Sequence, residues 1–245
     1  MTAKTYILPA IEMSEGDGVD VHRLFPVTQD RMNYDPFVLW DNFNLGPARG
    51  FPTHPHRGFE GITYMFTGSI EHKDNLGNQS TVTAGGAQRF TAGWGIEHSE
   101  MPDSQINSNG IQLWVNLAKS KKQIEPTYQQ VDSDNIPQKN IAGGIVRIII
   151  GEDSPVELET PVRYLDVSLD ESAIYEENVP SGFRGFIYLL TGKISINNET
   201  LNNKEAYFYD GVDTLKINAN EQSHFMLCMG LPHGEPIHQH GPYVD

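Results

Sequence analysis

Gly58-Phe-Glu-Gly-Ile-Thr-Tyr-Met-Phe-Thr-Gly-Ser-Ile70 returns later in the chain as Gly182-Phe-Arg-Gly-Phe-Ile-Tyr-Leu-Leu-Thr-Gly-Lys-Ile194. The two stretches align without a gap at an offset of 124 residues (182 − 58), and seven of thirteen positions are identical. Each is an apolar run that ends in Thr-Gly and continues into a polar turn, as a strand does on entering a hairpin. A repeat of half the chain length points to duplication of a whole domain, because solenoid and propeller units are only about 20–50 residues long. The fold class that follows is all-β with little helix: two tandem, jelly-roll-like β-barrels, since each sheet must close or stack to hide its edges.

The surrounding sequence agrees. Apolar bursts at Gly61 to Phe66, Gly110 to Leu117, Ile145 to Ile150 and Gly185 to Leu190 are bounded by Gly, Asn, Asp and Pro. Turn chemistry recurs at Asp74-Asn-Leu-Gly-Asn78, Gly85-Gly86 and Asn197-Asn198. Only Ser120 to Ile124 and Asp132 to Asn135 read as briefly helical. The polar segment Gln129 to Asn140, with Pro137 inside it, is the linker candidate, and it divides the chain into domains 1–137 and 138–245.

Charge and composition exclude several classes. With 17 Lys+Arg against 32 Asp+Glu the net charge is −15, and the basic residues are scattered, so no stripe exists to neutralise phosphates and no direct nucleic-acid binding is expected. The single cysteine, Cys228, rules out an intrachain disulfide and a cysteine-based zinc cluster, and it suits a reducing compartment. No run approaches the roughly 18–20 apolar residues that span a bilayer, so the expectation is a cytoplasmic protein with no membrane partner. Phosphate loops, dinucleotide fingerprints and Gly-x-Ser-x-Gly elbows are absent.

Imidazole and carboxylate remain as strong ligands, and they cluster in two motifs: His54-Pro-His56-Arg-Gly-Phe-Glu60 and Gly93-Trp-Gly-Ile-Glu-His98-Ser-Glu100. In a strand, residues i and i+2 face the same side, so His54 projects with His56, and His98 with Glu100. Two such pairs on neighbouring strands can converge inside a barrel on one mononuclear divalent metal; imidazole and carboxylate suit iron, nickel, copper, manganese or zinc. Glu60 competes with Glu100 for the acidic position, since it shares parity with the first pair. Its other role is to accept the free ring N–H of a ligand histidine. Arg57 reads as a solvent-exposed arginine or the partner of a rim carboxylate, and Glu97 has the wrong parity to face the site. The second copy places Asn178-Val-Pro-Ser181 where the first has His54-Pro-His56-Arg57, so no metal is expected there. His224 reads as a hydrogen-bonded core histidine, and His238-Gln-His240 as tail.

Five stretches together resemble the pirin family of the cupin superfamily: Asp35-Pro-Phe-Val-Leu-Trp-Asp-Asn-Phe43, Phe51-Pro-Thr-His-Pro-His-Arg-Gly-Phe-Glu60, Thr91-Ala-Gly-Trp-Gly-Ile-Glu-His-Ser-Glu-Met-Pro102, Gly110-Ile-Gln-Leu-Trp-Val-Asn-Leu117 and Glu235-Pro-Ile-His-Gln-His-Gly-Pro-Tyr243. The resemblance implies a bicupin with metal in the N-terminal cupin domain alone, iron as the usual metal, and His54, His56, His98 and Glu100 as its ligands. It favours Glu100 over Glu60. It further implies a quercetin 2,3-dioxygenase-like oxidoreductase that opens a flavonol with dioxygen, with Glu100 as the catalytic base; the alternative is a redox-sensing co-regulator that binds a protein partner. The sequence departs from the pattern twice. It stops at Tyr243-Val-Asp245 where members commonly continue through a helical segment, which leaves open a truncated boundary or a naturally short member. Glu97 also stands where an aliphatic residue is common.

Overall fold

The computed structural model describes residues 3–16, 18–47, 49–102 and 106–245. Strands β1 (Lys4–Pro9), β2 (Ile11–Glu15), β3 (Val19–Phe25), β4 (Phe37–Leu45), β5 (Phe51–His56) and β6 (Phe59–Thr67) come first. Then follow β7 (Ser69–Asp74), β8 (Gln79–Thr83), β9 (Ala87–Thr91), β10 (Ile96–Pro102), β11 (Ser108–Asn116) and β12 (Thr127–Val131). The second half supplies β13 (Gln138–Ile141), β14 (Gly144–Ile150), β15 (Val162–Leu169), β16 (Ile174–Asn178), β17 (Arg184–Thr191) and β18 (Ile194–Ile196). Last are β19 (Glu199–Leu201), β20 (Glu205–Asp210), β21 (Thr214–Ala219), β22 (Ser223–Gly230), β23 (Gln239–His240) and β24 (Tyr243–Val244). The helical content expected near Ser120 and Asp132 is present as 3-10 turns at Lys119–Lys121 and Ser133–Asn135. Among the described residues no helix is long and apolar enough to cross a membrane.

Two compact units result. The first barrel comprises Ile11–Ile136, Leu158–Thr160 and His233–Asp245; the second comprises Pro137–Glu157, Pro161–Pro232 and the N-terminal residues through Ala10. The expected division into 1–137 and 138–245 therefore needs correction at both ends, because the terminal segments are exchanged. Strand pairing is the cause. β1 binds β20 in antiparallel register from Lys4↔Asp210 to Pro9↔Glu205, the edge that β12 fills in the first barrel beside β9. Such pairing joins segments far apart in sequence, and no local pattern announces it.

Each barrel is a seven-stranded sheet facing a four-stranded one. The orders are β12-β9-β6-β11-β4-β3-β2 with β5-β10-β7-β8 in the first, and β1-β20-β17-β22-β15-β14-β13 with β16-β21-β18-β19 in the second. The repeat falls on β6 and β17, which occupy the same place in their sheets. Apolar side chains from both sheets meet inside: Val21, Phe43 and Met65 with Ile70 and Val82 in the first barrel, and Leu165, Ile187 and Leu227 with Ile194 and Ile217 in the second.

The registers expose one difference between the two interiors. In the second barrel Tyr207, Ile187, Leu227, Leu165 and Ile148 stand directly opposite one another across five strands, and all five belong to its core. The corresponding row in the first barrel is Gln88, Thr63, Gln112, Asp41 and Arg23. Burying such groups is costly unless each finds a partner, so a fold that manages with an apolar row in one copy carries a polar belt in the other for a reason other than closure.

Candidate metal centre

β5 and β10 are antiparallel neighbours, with His98 opposite His54 and Ile96 opposite His56. The alternation of each strand turns the three imidazoles to one side. Their ring centroids lie 4.5, 4.6 and 4.9 Å apart, and ligand nitrogens of His54, His56 and His98 all fall within 4.8 Å of one another. His56 and His98 are only 3% and 1% exposed.

Hydrogen bonds fix which nitrogen of each ring faces the centre. His54 donates from Nδ1 to the Pro52 carbonyl at 2.7 Å, and His56 from Nδ1 to the Pro242 carbonyl at 3.3 Å. For His98 a chain sets the tautomer. The Asp74 carboxylate accepts from His72 Nε2 at 3.0 Å, which leaves His72 Nδ1 as an acceptor for the Nδ1–H of His98 at 3.4 Å. Each Nε2 then carries a lone pair, and those of His98 and His54 face each other at 3.2 Å. Two lone pairs repel at that distance, so the arrangement calls for a cation between them, and the donor set fits a metal ion. Burial first, then the neighbouring His54, pushes His56 down to about 3; burial and the surrounding histidines hold His98 well below its ordinary value. Both rings are thus neutral near pH 7, the form that ligates metals.

Glu100 is 5% exposed and lines the same cavity, but it lies outside the set of converging ligand atoms. Its Oε1 accepts from the Thr63 hydroxyl at 2.8 Å and the Gln88 amide at 2.5 Å. Behind Gln88 the chain continues, since Tyr128 donates to Gln88 Oε1 at 2.9 Å and Ser80 Oγ lies 2.6 Å from Tyr128. The hydrogen bond expected between Glu60 and a ligand histidine is corrected by the structure: Glu60 instead accepts from Thr91 Oγ1 and the Glu159 backbone, each at 2.8 Å. Gly58, at φ +84°, separates β5 from β6, so parity counted from His54 does not carry through to Glu60. The histidine support comes from His72 and Asp74 instead. Their own i, i+2 spacing was the signal for them, and sequence reasoning passed over it.

The segment read as tail is part of the site. Gln239, Gly241 and Pro242 line the cavity, and Val244 is fully buried against Phe59, Phe90 and Ile96. Arg57 binds Asp245 through two hydrogen bonds of 2.9 and 2.8 Å and lies over the Tyr243 ring. Lys122 donates to the Val244 and Gly58 carbonyls. Glu97 is exposed, in keeping with its parity. In the second barrel, positions matching His54 and His56 at the repeat offset hold Asn178 and Pro180, and Ile217 stands opposite Ile196 as Glu100 stands opposite His72. His224 is hydrogen-bonded as expected, to Asp166 Oδ1 at 2.5 Å, although its side chain is 30% exposed.

The cavity measures about 420 Å³. Val21, Leu39, Phe43, Phe51 and Trp114 give it apolar walls, and His54, His56 and Glu100 share it with Arg23, Asp41 and Glu15. Arg23 donates to both Asp41 oxygens at 2.8 and 2.6 Å and contacts Glu15 at 2.6 Å. Burial alone would lower the arginine pKa, but the hydrogen bonds and charges of Asp41 and Glu15 outweigh it, and the group stays charged.

Comparison with known proteins agrees with the motifs. Residues 18–115 match the pirin family and residues 164–245 the pirin C-terminal cupin domain. Human pirin is 40% identical over 95% of this chain and 84% of its own length; the Arabidopsis thaliana pirin-like protein 2 is 39% identical over 94% and 75%. Among solved structures, a quercetin 2,3-dioxygenase from Acinetobacter baumannii superposes with a TM-score of 0.89 at 29% identity, covering 100% of this chain and 90% of that one. The bacterial pirin YhhW from Escherichia coli, solved with nickel(II), shares the fold at a TM-score of 0.78 and 21% identity, covering 94% and 99%.

Proposed function

The chain belongs to the pirin family, and from that premise we propose that it is a metal-dependent dioxygenase that opens a flavonol ring with dioxygen, its metal held by His54, His56, His98 and Glu100. The observation that carries the reading is the convergence of three imidazoles, each held through Nδ1 with Nε2 turned inward, on a cavity of about 420 Å³ walled by aromatic and aliphatic side chains. That volume accommodates a drug-sized planar ligand. The likeness to the Acinetobacter dioxygenase supports it. Iron is the first candidate metal; nickel, copper, manganese and zinc have affinity for the same donors.

A metal bound there supplies Lewis acidity and access to redox chemistry that side chains lack. The remaining work falls to the residues. Phe51, Phe43 and Trp114 cover the faces of a flat ring and exclude water from it. Glu100, whose Oε1 is pinned by Thr63 and Gln88, has its second oxygen available as the base that takes the flavonol hydroxyl proton. The test compares wild type, His56→Ala and Glu100→Gln, reloaded with iron under identical conditions, by metal content and initial flavonol consumption. His56→Ala loses both. Glu100→Gln keeps substantial metal and loses turnover; equal turnover refutes the base assignment. If metal-replete wild type consumes no flavonol, a metal-dependent protein-binding role replaces the enzyme reading.

A further inference from the structure

The polar belt across the first barrel leads away from the metal ligands. It runs from Gln88 and Thr63, which hold Glu100, through Gln112 to Asp41 and Arg23, each opposite the next in register. Gln112, Asp41, Arg23 and Glu15 all line the cavity. The matching row of the second barrel lies in its hydrophobic core, with the Tyr207 hydroxyl as its one polar side-chain group, so the belt is a property of this cavity and not of the fold.

Its chemistry is one-sided. Arg23 is the one lysine or arginine among the described residues lining the cavity. Its Nε, Nη1 and Nη2 are all engaged by Asp41 and Glu15. Two carboxylates against one guanidinium leave negative charge and spare acceptor lone pairs. Gln239 adds another acceptor: its Oε1 is buried with no hydrogen-bond partner among the described residues, and Gln239 lines the same cavity. A buried acceptor without a partner is costly, and a ligand donor in the adjoining cavity would satisfy it once the amide turns toward it. On the proposed-function reading, on which this inference rests, the occupant is a flat ring system anchored at the metal end.

We propose that the wall formed by Asp41, Glu15 and Gln239 selects neutral aromatic ligands bearing hydroxyl donors away from the metal-binding group, and rejects ligands bearing a carboxylate there. Hydroxyls donate to the two carboxylates and to the amide oxygen; a ligand carboxylate meets like charge with no free arginine donor to compensate it.

The test is anaerobic equilibrium binding to the metal-replete chain of three ligands on one 3-hydroxyflavone core: unsubstituted, with added phenolic hydroxyls, and with a ring carboxylate. Metal content and melting temperature are checked for every variant. Wild type should bind the hydroxylated ligand at least about tenfold more tightly than the bare core, since hydrogen bonds to charged groups are the stronger kind, and the carboxylate ligand at least about tenfold more weakly. Gln239→Leu should shrink the first gap and Glu15→Gln the second, and Glu15 is exposed enough at the rim (37% for its side chain) for the substitution to leave the core intact. Equal binding of all three by wild type overturns the inference while leaving flavonol recognition standing. So do unchanged gaps in both variants. Failure to bind any of the three overturns the proposed function and the inference with it.

Discussion

Replacing His72 by Phe should weaken metal binding without touching a ligand. His72 is fully buried, donates from Nε2 to Asp74 and offers Nδ1 to the Nδ1–H of His98. Its ring stacks on Tyr128 at 4.1 Å and 14°. Phenylalanine keeps the stack and nearly the volume but removes the acceptor, so His98 Nδ1–H is left buried and unpaired. Loss of such a partner behind a metal ligand typically lowers metal affinity about 10–100-fold, or about 1.4–2.7 kcal/mol. The unpaired donor should also destabilise the fold by about 1–3 kcal/mol, with or without metal. Two measurements separate the effects: chelator competition for the metal dissociation constant, and thermal denaturation of the metal-free chain. His72→Gln supplies a control, because its amide oxygen restores an acceptor and should recover part of the affinity. If His72→Phe binds metal within about twofold of wild type, the chain from Asp74 does not orient His98 and the tautomer argument fails.

Metal-free protein should lose stability as pH falls from about 6.5 towards 3. His56 is held at about 3 in the fold against about 6.5 unfolded, so the unfolded chain binds the proton first and the fold loses about 1.4 kcal/mol per pH unit in that window. The slope in excess of that for His56→Gln measures the contribution, and equal slopes would refute it. Gly58→Ala should be severe, since a Cβ there would stand 1.8 Å from the Val244 carbonyl at φ +84°, whereas Gly77→Ala, at φ +92° with nothing within 4 Å, carries only the backbone penalty of about 1 kcal/mol. Matching denaturation midpoints for the two would show that the C-terminal segment is not packed as described. Val244→Ala should cost about 2 kcal/mol in denaturant unfolding if that side chain completes the core of the first barrel, and nothing if it lies loose.

The repeat between Gly58 and Gly182 made the doubled architecture legible, because strand and turn patterns are local and survive duplication. The histidines were legible for the same reason: period-two spacing puts each pair on one face of a strand, and β5 and β10 are indeed neighbours. Errors arose where a short-range rule was carried past a break or a long-range pairing decided the outcome. Parity failed for Glu60 at the Gly58 turn. Strand exchange at the termini joins Lys4 to Asp210 and seats Pro242 on His56, contacts separated by about two hundred residues and invisible to any window.

The belt of Gln88, Thr63, Gln112, Asp41 and Arg23 belongs to the second kind. In sequence these are five polar residues scattered over five strands, and no local pattern links them. Register alone aligns them, and only comparison with the apolar row of the second barrel gives the alignment meaning. The repeat does contain one trace of it, the replacement of Thr63 by Ile187. In a duplicated fold, then, an interior polar residue in one copy matched by an aliphatic in the other is the local mark of a site, because closure demands the aliphatic and only a ligand, or the groups that position one, repays the polar residue's desolvation.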